Sequence, residues 1–163
     1  MAFERSPTEG SPHHLLAQLV GAWAGTTQTW IDPDAEPGES KTQGSIHLIL
    51  DGRFALYLYQ SSVDGEPQHG MFIFGYNTTL DQYEATWVDS YHNNTAVMFC
   101  SGQAKDKGFF VLGSHPSADG GPDWGWRTEV ELLDPDHLSI SAYDIHPKGA
   151  EAPAVKTVLA RVK

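Results

Sequence analysis

The sequence has little of several things, and each shortage excludes a class of protein. Cys100 is the only cysteine in 163 residues, so no intramolecular disulfide forms and oxidative export is not required. Ten Lys and Arg stand against 21 Asp and Glu, and the formal net charge of −11 disfavours nucleic acid or an anionic membrane as partner. No apolar run approaches the roughly 20 residues that cross a bilayer, and the start of the chain lacks the apolar core of a signal peptide. We therefore expect a soluble, cytoplasmic protein.

Helical signals are confined to one segment near the N-terminus. Ser11 is a good N-cap, Pro12 suits the first helical position, and Gly21 suits the C-terminal cap. Four apolar residues share one face of this helix: Leu15, Leu16, Leu19 and Val20. The pattern predicts a short helix over 12–20 with one apolar side, after a frayed segment 1–10.

The rest of the chain reads as strands separated by turn signals such as Asp-Gly and Gly-Pro. Strand-like runs occupy 22–31, 42–50, 53–62, 69–76, 82–90, 94–101, 108–114, 124–133, 137–145 and 153–162. Without helical crossovers the sheet must be antiparallel, and closing it removes two exposed edges. We predict an all-β fold in one domain over 11–163, an antiparallel up-and-down barrel of about ten strands with room for an internal ligand.

The segment GAWAG at 21–25 follows the helix directly and resembles the signature of the calycins, the superfamily of lipocalins and their relatives. The resemblance implies that Trp23 closes one barrel end and that a cation from the last strand, here Arg161, packs over it. A guanidinium on an indole face gains dispersion and cation–π attraction. The predicted helix would plug this same end.

A closer resemblance covers roughly residues 13–162. The segments HHLLAQLVGAWAGTTQTW, LDGRFALYLYQ, HGMFIFGYN, ATWVDSYH and DWGWRTEVEL, in this order and spacing, resemble a bacterial family known as domain of unknown function 1579. The resemblance implies a lipocalin-like or nitrobindin-like barrel. It leaves the function open, because the family has no generally established activity.

The segment ATWVDSYH is the first candidate site. Strand alternation places Trp87 and Asp89 on one face, and His92 lies in the turn that follows. An Asp beside a His can orient an imidazole and raise its basicity, which would suit an acid–base pair at a barrel mouth. The alternative is that Asp89 caps the hairpin backbone and His92 is solvated.

Two other segments could contact a ligand. Arg53 follows a tight turn and shares a strand face with Tyr57 and Tyr59, an arrangement that could bind a carboxylate or a phenolate. Arg53 could equally pair with an Asp of the turn. Trp124 and Trp126 share a face on either side of a glycine and could line an aromatic pocket, or simply pack the core.

The eight histidines show no zinc-ligand spacing. Because nitrobindin-type barrels bind haem through a His, His137 and His146 are candidates for such a ligand, although polar aromatics and an Asp suit haem poorly. Cys100 lies in an apolar strand and is expected to be an inert thiol. We therefore expect no cofactor and no metal.

These observations favour a protein that binds a small, partly aromatic or hydrophobic molecule inside the barrel. The first alternative is a cofactor-free isomerase, cyclase or lyase that uses Asp89 and His92 with the Arg53 cluster, and the second is a haem-binding barrel. In the run RFALYLYQ both strand faces are apolar or aromatic, which indicates that the outer face is covered, for example in a homodimer.

Overall fold

The computed structural model describes residues 7–163, so the predicted frayed segment 1–10 lies mostly outside the described residues. One helix, α1, spans Pro12–Gln18. Eleven strands follow it: β1 Gly21–Thr29, β2 Gly38–Ile49, β3 Phe54–Val63, β4 Glu66–Asn77, β5 Gln82–Asp89, β6 Met98–Gly102, β7 Ala104–Lys105, β8 Gly108–His115, β9 Trp124–Asp134, β10 His137–Ile145 and β11 Glu151–Arg161.

The strands form one closed antiparallel sheet. Strands β1 to β6 pair in chain order, β1 also pairs with β11, and β11 to β8 continue the sheet in reverse order. A pairing between β6 and β8, at Ser101 and Leu112, closes the barrel. The two-residue strand β7 pairs only with β8, so ten strands make up the wall. The predicted up-and-down barrel of about ten strands is confirmed.

Because neighbouring strands alternate in direction, the barrel has two distinct ends. The helix end contains α1, the start of β1 and the end of β11. The far end contains the end of β1, the start of β11, and the β5–β6 loop at residues 90–97. No helix among residues 7–163 is long and apolar enough to span a membrane.

The helix begins where the sequence predicts and ends earlier. Ser11 Oγ accepts the His14 backbone N–H at 3.2 Å, and Pro12 occupies the first turn. The helix stops at Gln18 with Leu19 as its C-cap, so the predicted end at residue 20 and the capping role of Gly21 are wrong. Gly21 begins β1 with a φ of +151°, and a Cβ there would overlap the Arg161 guanidinium. Its lack of a side chain makes room for that group.

The helix end is closed by Trp23 and Arg161. These residues pair across β1 and β11, and the Arg161 Cζ lies 4.3 Å from the Trp23 ring centroid. The guanidinium also donates to the carbonyl oxygens of Gln18, at 3.1 Å, and Val20. Trp23 Nε1 donates to the Leu19 carbonyl at 2.9 Å. The two side chains thereby satisfy carbonyls that the end of a helix leaves without partners.

The interior differs between its two halves. The helix-end half is a packed core of fully or almost fully buried side chains: Leu16, Leu19, Trp23, Ile46, Ala55, Phe74, Tyr83, Phe109, Val130, Leu138 and Leu159. Tyr83 and Phe109 stack there with ring centroids 4.3 Å apart. The far half keeps a cavity, so any interior ligand would occupy that half.

Candidate functional site

The cavity has a volume of about 50 Å³ and lies between inward-facing side chains of the far half. Its lining residues are Thr27, Thr42, Tyr57, Tyr59, Ser61, Gln68, Phe72, Trp87, His92, Trp126, Thr128, Ile140, Ser141, Ala142, Val155 and Thr157. A dry cavity of about 150 Å³ is known to bind benzene, so this one is about a third of that size. It suits a few waters or a very small ligand, and an aromatic guest requires side chains to move.

One wall of the cavity is aromatic. Phe72 and Trp87 stack almost parallel, with centroids 5.3 Å apart, and Trp87 stacks on Trp126 at 5.1 Å. Tyr57 and Tyr59 stack on each other at 5.1 Å. Burial raises the pKa of both phenols, and the carboxylate of Asp89 raises that of Tyr59 further. Both tyrosines are therefore neutral hydroxyl groups at physiological pH.

The opposite wall is a chain of hydroxyl groups on adjacent strands. Thr27 of β1 contacts Thr157 of β11 at 2.8 Å and Thr42 of β2 at 2.6 Å, and Thr42 contacts Ser61 of β3 at 2.8 Å. Each hydroxyl can donate one hydrogen bond and accept two. This wall can therefore serve either a donor or an acceptor on a ligand.

Two polar atoms of lining residues have no hydrogen-bond partner in the described part of the chain. They are the indole Nε1 of Trp126 and the hydroxyl oxygen of Thr128. Trp126 is 5% exposed and Thr128 is 1% exposed. A buried polar group left unpaired costs about 1–3 kcal/mol. Each of these atoms is almost inaccessible to solvent, but the residues that carry them line the cavity, where a water molecule or a ligand can supply a partner.

Asp89 organises the side chains at the edge of the cavity. Its carboxylate is fully buried. Oδ1 accepts the backbone N–H groups of Tyr91 at 3.2 Å and Asn93 at 2.9 Å. Oδ2 lies 2.8 Å from His92 Nδ1 and accepts Gln68 Nε2 at 2.9 Å. Both oxygens are thereby used, and Asp89 itself does not line the cavity.

These hydrogen bonds decide the charge of Asp89. Burial by itself would raise the pKa of this carboxyl, but the hydrogen bond and charge of His92, the Asn93 N–H and the Gln68 amide together hold the pKa below its usual value. Since an ionised carboxylate only accepts, His92 Nδ1 carries the proton that joins the pair. His92 lines the cavity, and Asp89 binds only its Nδ1, so the other ring nitrogen, Nε2, takes no part in this pair.

A further hydrogen-bond chain links the aromatic wall to Asp89. Trp87 Nε1 donates to the Tyr59 hydroxyl at 3.0 Å, and this hydroxyl donates to Asp89 Oδ2 at 3.4 Å. The structure therefore brings six of the candidate residues together at the far end: Tyr57, Tyr59, Trp87, Asp89, His92 and Trp126. Asp89 caps the loop backbone, as the alternative expected, but the expectation that His92 is then solvated is wrong, because its ring packs on Asp89 and the cavity.

Arg53 does not belong to this site. It is exposed at the helix end, where its Nη1 donates to the Leu50 carbonyl at 3.1 Å and lies 3.7 Å from Asp51 Oδ2. Tyr57 and Tyr59 lie on β3, which begins one residue after Arg53, but point towards the far half of the interior. The expected cluster of Arg53 with these tyrosines is wrong, because the length of β3 separates a turn at one barrel end from a cavity at the other.

The two tryptophans of β9 separate as well. Trp126 lines the cavity, whereas Trp124 is half-buried against His146, with ring centroids 4.8 Å apart, and lies outside the lining. The expectation that both line one pocket is therefore wrong for Trp124. The two tryptophans do share a strand face, as predicted. Trp124 is the first residue of β9, however, and lies at the rim of the barrel, beyond the cavity that Trp126 lines.

The histidines proposed for haem are used elsewhere. His137 Nδ1 lies 2.8 Å from Asp134 Oδ2 at the helix end, and His146 Nδ1 accepts the Lys148 N–H at 3.0 Å. A haem macrocycle is far larger than a cavity of about 50 Å³, so the residues present do not fit that group. Within residues 7–163, no group of three or more His, Cys, Asp or Glu side chains could hold a metal ion.

Sequence reasoning missed the polar half of the site. Gln68, Thr128 and the hydroxyl chain were not singled out, although each lies on an inward face. Thr27 follows Trp23 by four residues and Thr128 follows Trp126 by two, so strand alternation places them on the same side. Polar residues in the inward register of a strand were the available signal.

A closed ten-stranded antiparallel barrel, packed at one end and with a small cavity at the other, places the protein among β-barrel proteins with an interior cavity. The chain belongs to a family described as Protein of unknown function (DUF1579), whose model matches residues 8–161. It is similar in fold to Rv2717c from M. tuberculosis, known from a crystal structure, with a TM-score of 0.62 and 18% identity over 94% of this chain and 99% of that one. No curated protein matches the chain.

Proposed function

We propose that the protein binds a small molecule in the far-end cavity. The observation that carries the proposal is the division of the lining into an aromatic wall, including Phe72 and Trp87, and a hydroxyl wall, including Thr27 and Thr157. Binding sites for small molecules combine an apolar surface with a few placed polar groups in this way. A residual cavity in an otherwise packed interior supports the same view.

Binding is tested with a metabolite library, using native mass spectrometry and thermal shifts, followed by calorimetry on each hit. Ala142 lines the cavity, so Ala142→Leu should fill it and lower affinity at least about tenfold. Ala160→Leu is the matched control, because Ala160 is exposed on the outer face of β11. A hit that binds Ala142→Leu as tightly as the wild type is not in the cavity, and absence of any hit contradicts the proposal.

A second candidate function is cofactor-free acid–base catalysis on the bound molecule. The observation that favours it is the 2.8 Å contact of Asp89 Oδ2 with His92 Nδ1, which orients the imidazole of a residue that lines the cavity. A positioned His is the commonest general base in proteins. Arg53 takes no part in this version, because it lies at the helix end.

Catalysis is tested by incubating each identified ligand with the protein and following its conversion by mass spectrometry. His92→Gln should lower the rate by a factor of about 10² to 10⁴. His69→Gln, at an exposed position of β4, is the control. A ligand that binds but returns unchanged, over many equivalents of protein, would leave binding as the function.

We also propose that a second copy of the chain is the partner of the outer face. Leu58, Phe99 and Leu112 are exposed there by 43%, 60% and 45% of their surfaces. Phe99 and Leu112 lie on the paired strands β6 and β8, and Leu58 lies on β3; exposed apolar side chains on these strands are a surface that a second copy could cover. Sedimentation equilibrium tests the proposal: we expect a dimer whose dissociation constant rises with Phe99→Ser, and a strictly monomeric protein would contradict it.

A further inference from the structure

The charges around the cavity restrict its ligand more than its shape does. None of the lining residues in the described chain is Asp, Glu, Lys or Arg. A charged ligand would lose its water without meeting an opposite charge, and the desolvation of an unpaired ion is costly. The phenols of Tyr57 and Tyr59 cannot compensate, because burial keeps them neutral.

The pair of Asp89 and His92 does not change this balance. Each carboxylate oxygen of Asp89 already accepts hydrogen bonds from at least two groups of the protein. The carboxylate is therefore not available to a cationic ligand. Its negative charge beneath the cavity opposes an anion.

The two unpaired atoms, Trp126 Nε1 and Thr128 Oγ, indicate which hydrogen-bonding groups the ligand must have. Trp126 Nε1 can only donate a hydrogen bond, so it requires an acceptor. Thr128 Oγ can donate or accept. From these features we propose that the cavity selects an uncharged group with a hydrogen-bond acceptor, such as an amide or another carbonyl group, which Trp126 and Thr128 hold. This inference rests on the proposed binding function and names the chemical class of its ligand.

Three planar probes of the same shape and four non-hydrogen atoms each test the selection: acetamide, acetate and acetamidinium. Their size suits a cavity of about 50 Å³. The readout is the indole N–H resonance of Trp126 in ¹⁵N-labelled protein, assigned with Trp126→Phe. We expect acetamide to shift this resonance with a dissociation constant on the order of 1–100 mM, and to bind at least about tenfold more tightly than either ion.

Thr128→Val removes the hydroxyl and keeps the shape of the side chain. We expect it to weaken acetamide binding about five- to tenfold, whereas Thr86→Val, on the outer face of β5, should have no effect. If the Thr128→Val variant binds acetamide as tightly as the wild type does, the assignment of this hydroxyl to the ligand is overturned.

The remaining outcomes separate this inference from the proposed function. Preference for acetate or acetamidinium would overturn the selection of an uncharged group and leave binding in the cavity intact. If library compounds bind in the cavity while no probe moves the Trp126 resonance, the inference alone fails. If neither the probes nor the library bind, the two unpaired atoms hold water only, and both proposals fail.

Discussion

At the scale of single residues, Asp89 is the side chain on which the far-end loop depends. It holds the backbone of residues 91 and 93, the ring of His92 and the amide of Gln68 at once. These donors are supplied by β4 and by the loop itself, so the carboxylate joins a strand to the segment that borders the cavity. Replacing it leaves several donors without an acceptor.

Asp89→Asn should therefore destabilise the fold by about 2–4 kcal/mol at neutral pH, because the new amide donors face Gln68 and His92 instead of accepting from them. Urea unfolding measures the loss. Asp64→Asn is the control: Asp64 is exposed in the β3–β4 turn, and its φ of 50° is one that Asn readily adopts. Equal stability of the two variants would mean that the Asp89 network contributes little.

The pH dependence of stability tests the same carboxylate. Its folded-state pKa lies below the usual value, so its contribution is present above an unfolded-state pKa of about 4 and disappears as the pH falls through the folded value. We expect the wild type to lose stability on acidification from about pH 5 to about pH 3 more steeply than Asp89→Asn. Parallel curves in this range would contradict the depressed pKa.

At the scale of elements, two glycines allow the aromatic wall to form. Tyr59 of β3 pairs with Gly44 of β2 on one side and with Gly70 of β4 on the other. A Cβ on Gly70 would overlap the Tyr59 ring at Cζ and its hydroxyl oxygen. The bare backbone of Gly70 is the surface on which this ring lies, and so it positions the hydroxyl between Trp87 and Asp89.

Gly70→Ala should displace Tyr59, break its hydrogen bonds to Trp87 and Asp89, and cost about 1–3 kcal/mol of stability. The measurements are urea unfolding and tryptophan fluorescence, which reports the changed surroundings of Trp87. Gly38→Ala is the control, since the nearest atom to its Cβ would be 3.9 Å away. In a Tyr59→Ala background the cost of Gly70→Ala should vanish, and a cost that persists would show that the ring is not its cause.

At the scale of the whole molecule, Arg161 joins the two ends of the chain. Its guanidinium binds the carbonyls that follow α1, covers Trp23 and donates from Nε to the Pro135 carbonyl at 2.9 Å. One side chain of the last strand thus connects the helix, the first strand and the β9–β10 turn. The cavity lies in the other half of the barrel, so this closure and the binding site are separate.

Arg161→Ala should lower the free energy of unfolding by about 2–3 kcal/mol, through the lost cation–π contact and charge-assisted hydrogen bonds, and leave ligand affinity nearly unchanged. Arg161→Lys should recover only part of the loss, because an ammonium group lacks the planar fork. Arg53→Ala, an exposed arginine of the same end, should cost no more than about 0.5 kcal/mol. Loss of binding in a fully folded Arg161→Ala protein would contradict the separation of the two ends.

The sequence by itself determined the class of fold and most of the strand plan. Ten of the eleven strands correspond to predicted runs, because Asp-Gly turns and two-residue periodicity are local properties. The predicted strand over 94–101 is the main error in position. Its first four residues belong to a loop that is held by Asp89, and in which Asn94 has a φ of 51°. A contact with a buried carboxylate decided this boundary, and local propensity could not.

The tertiary structure alone decided which inward-facing residues share a site. Tyr57, Trp87 and Trp126 meet at the far end, while Arg53, four residues before Tyr57, lies at the helix end. Strand alternation tells which face a residue takes, but the level that it reaches in the barrel depends on the register of every strand between it and its neighbours. The hydroxyl chain that runs from β11 through β1 and β2 to β3 arises from that register in the same way. It joins residues up to 130 positions apart, a separation across which no local pattern carries information.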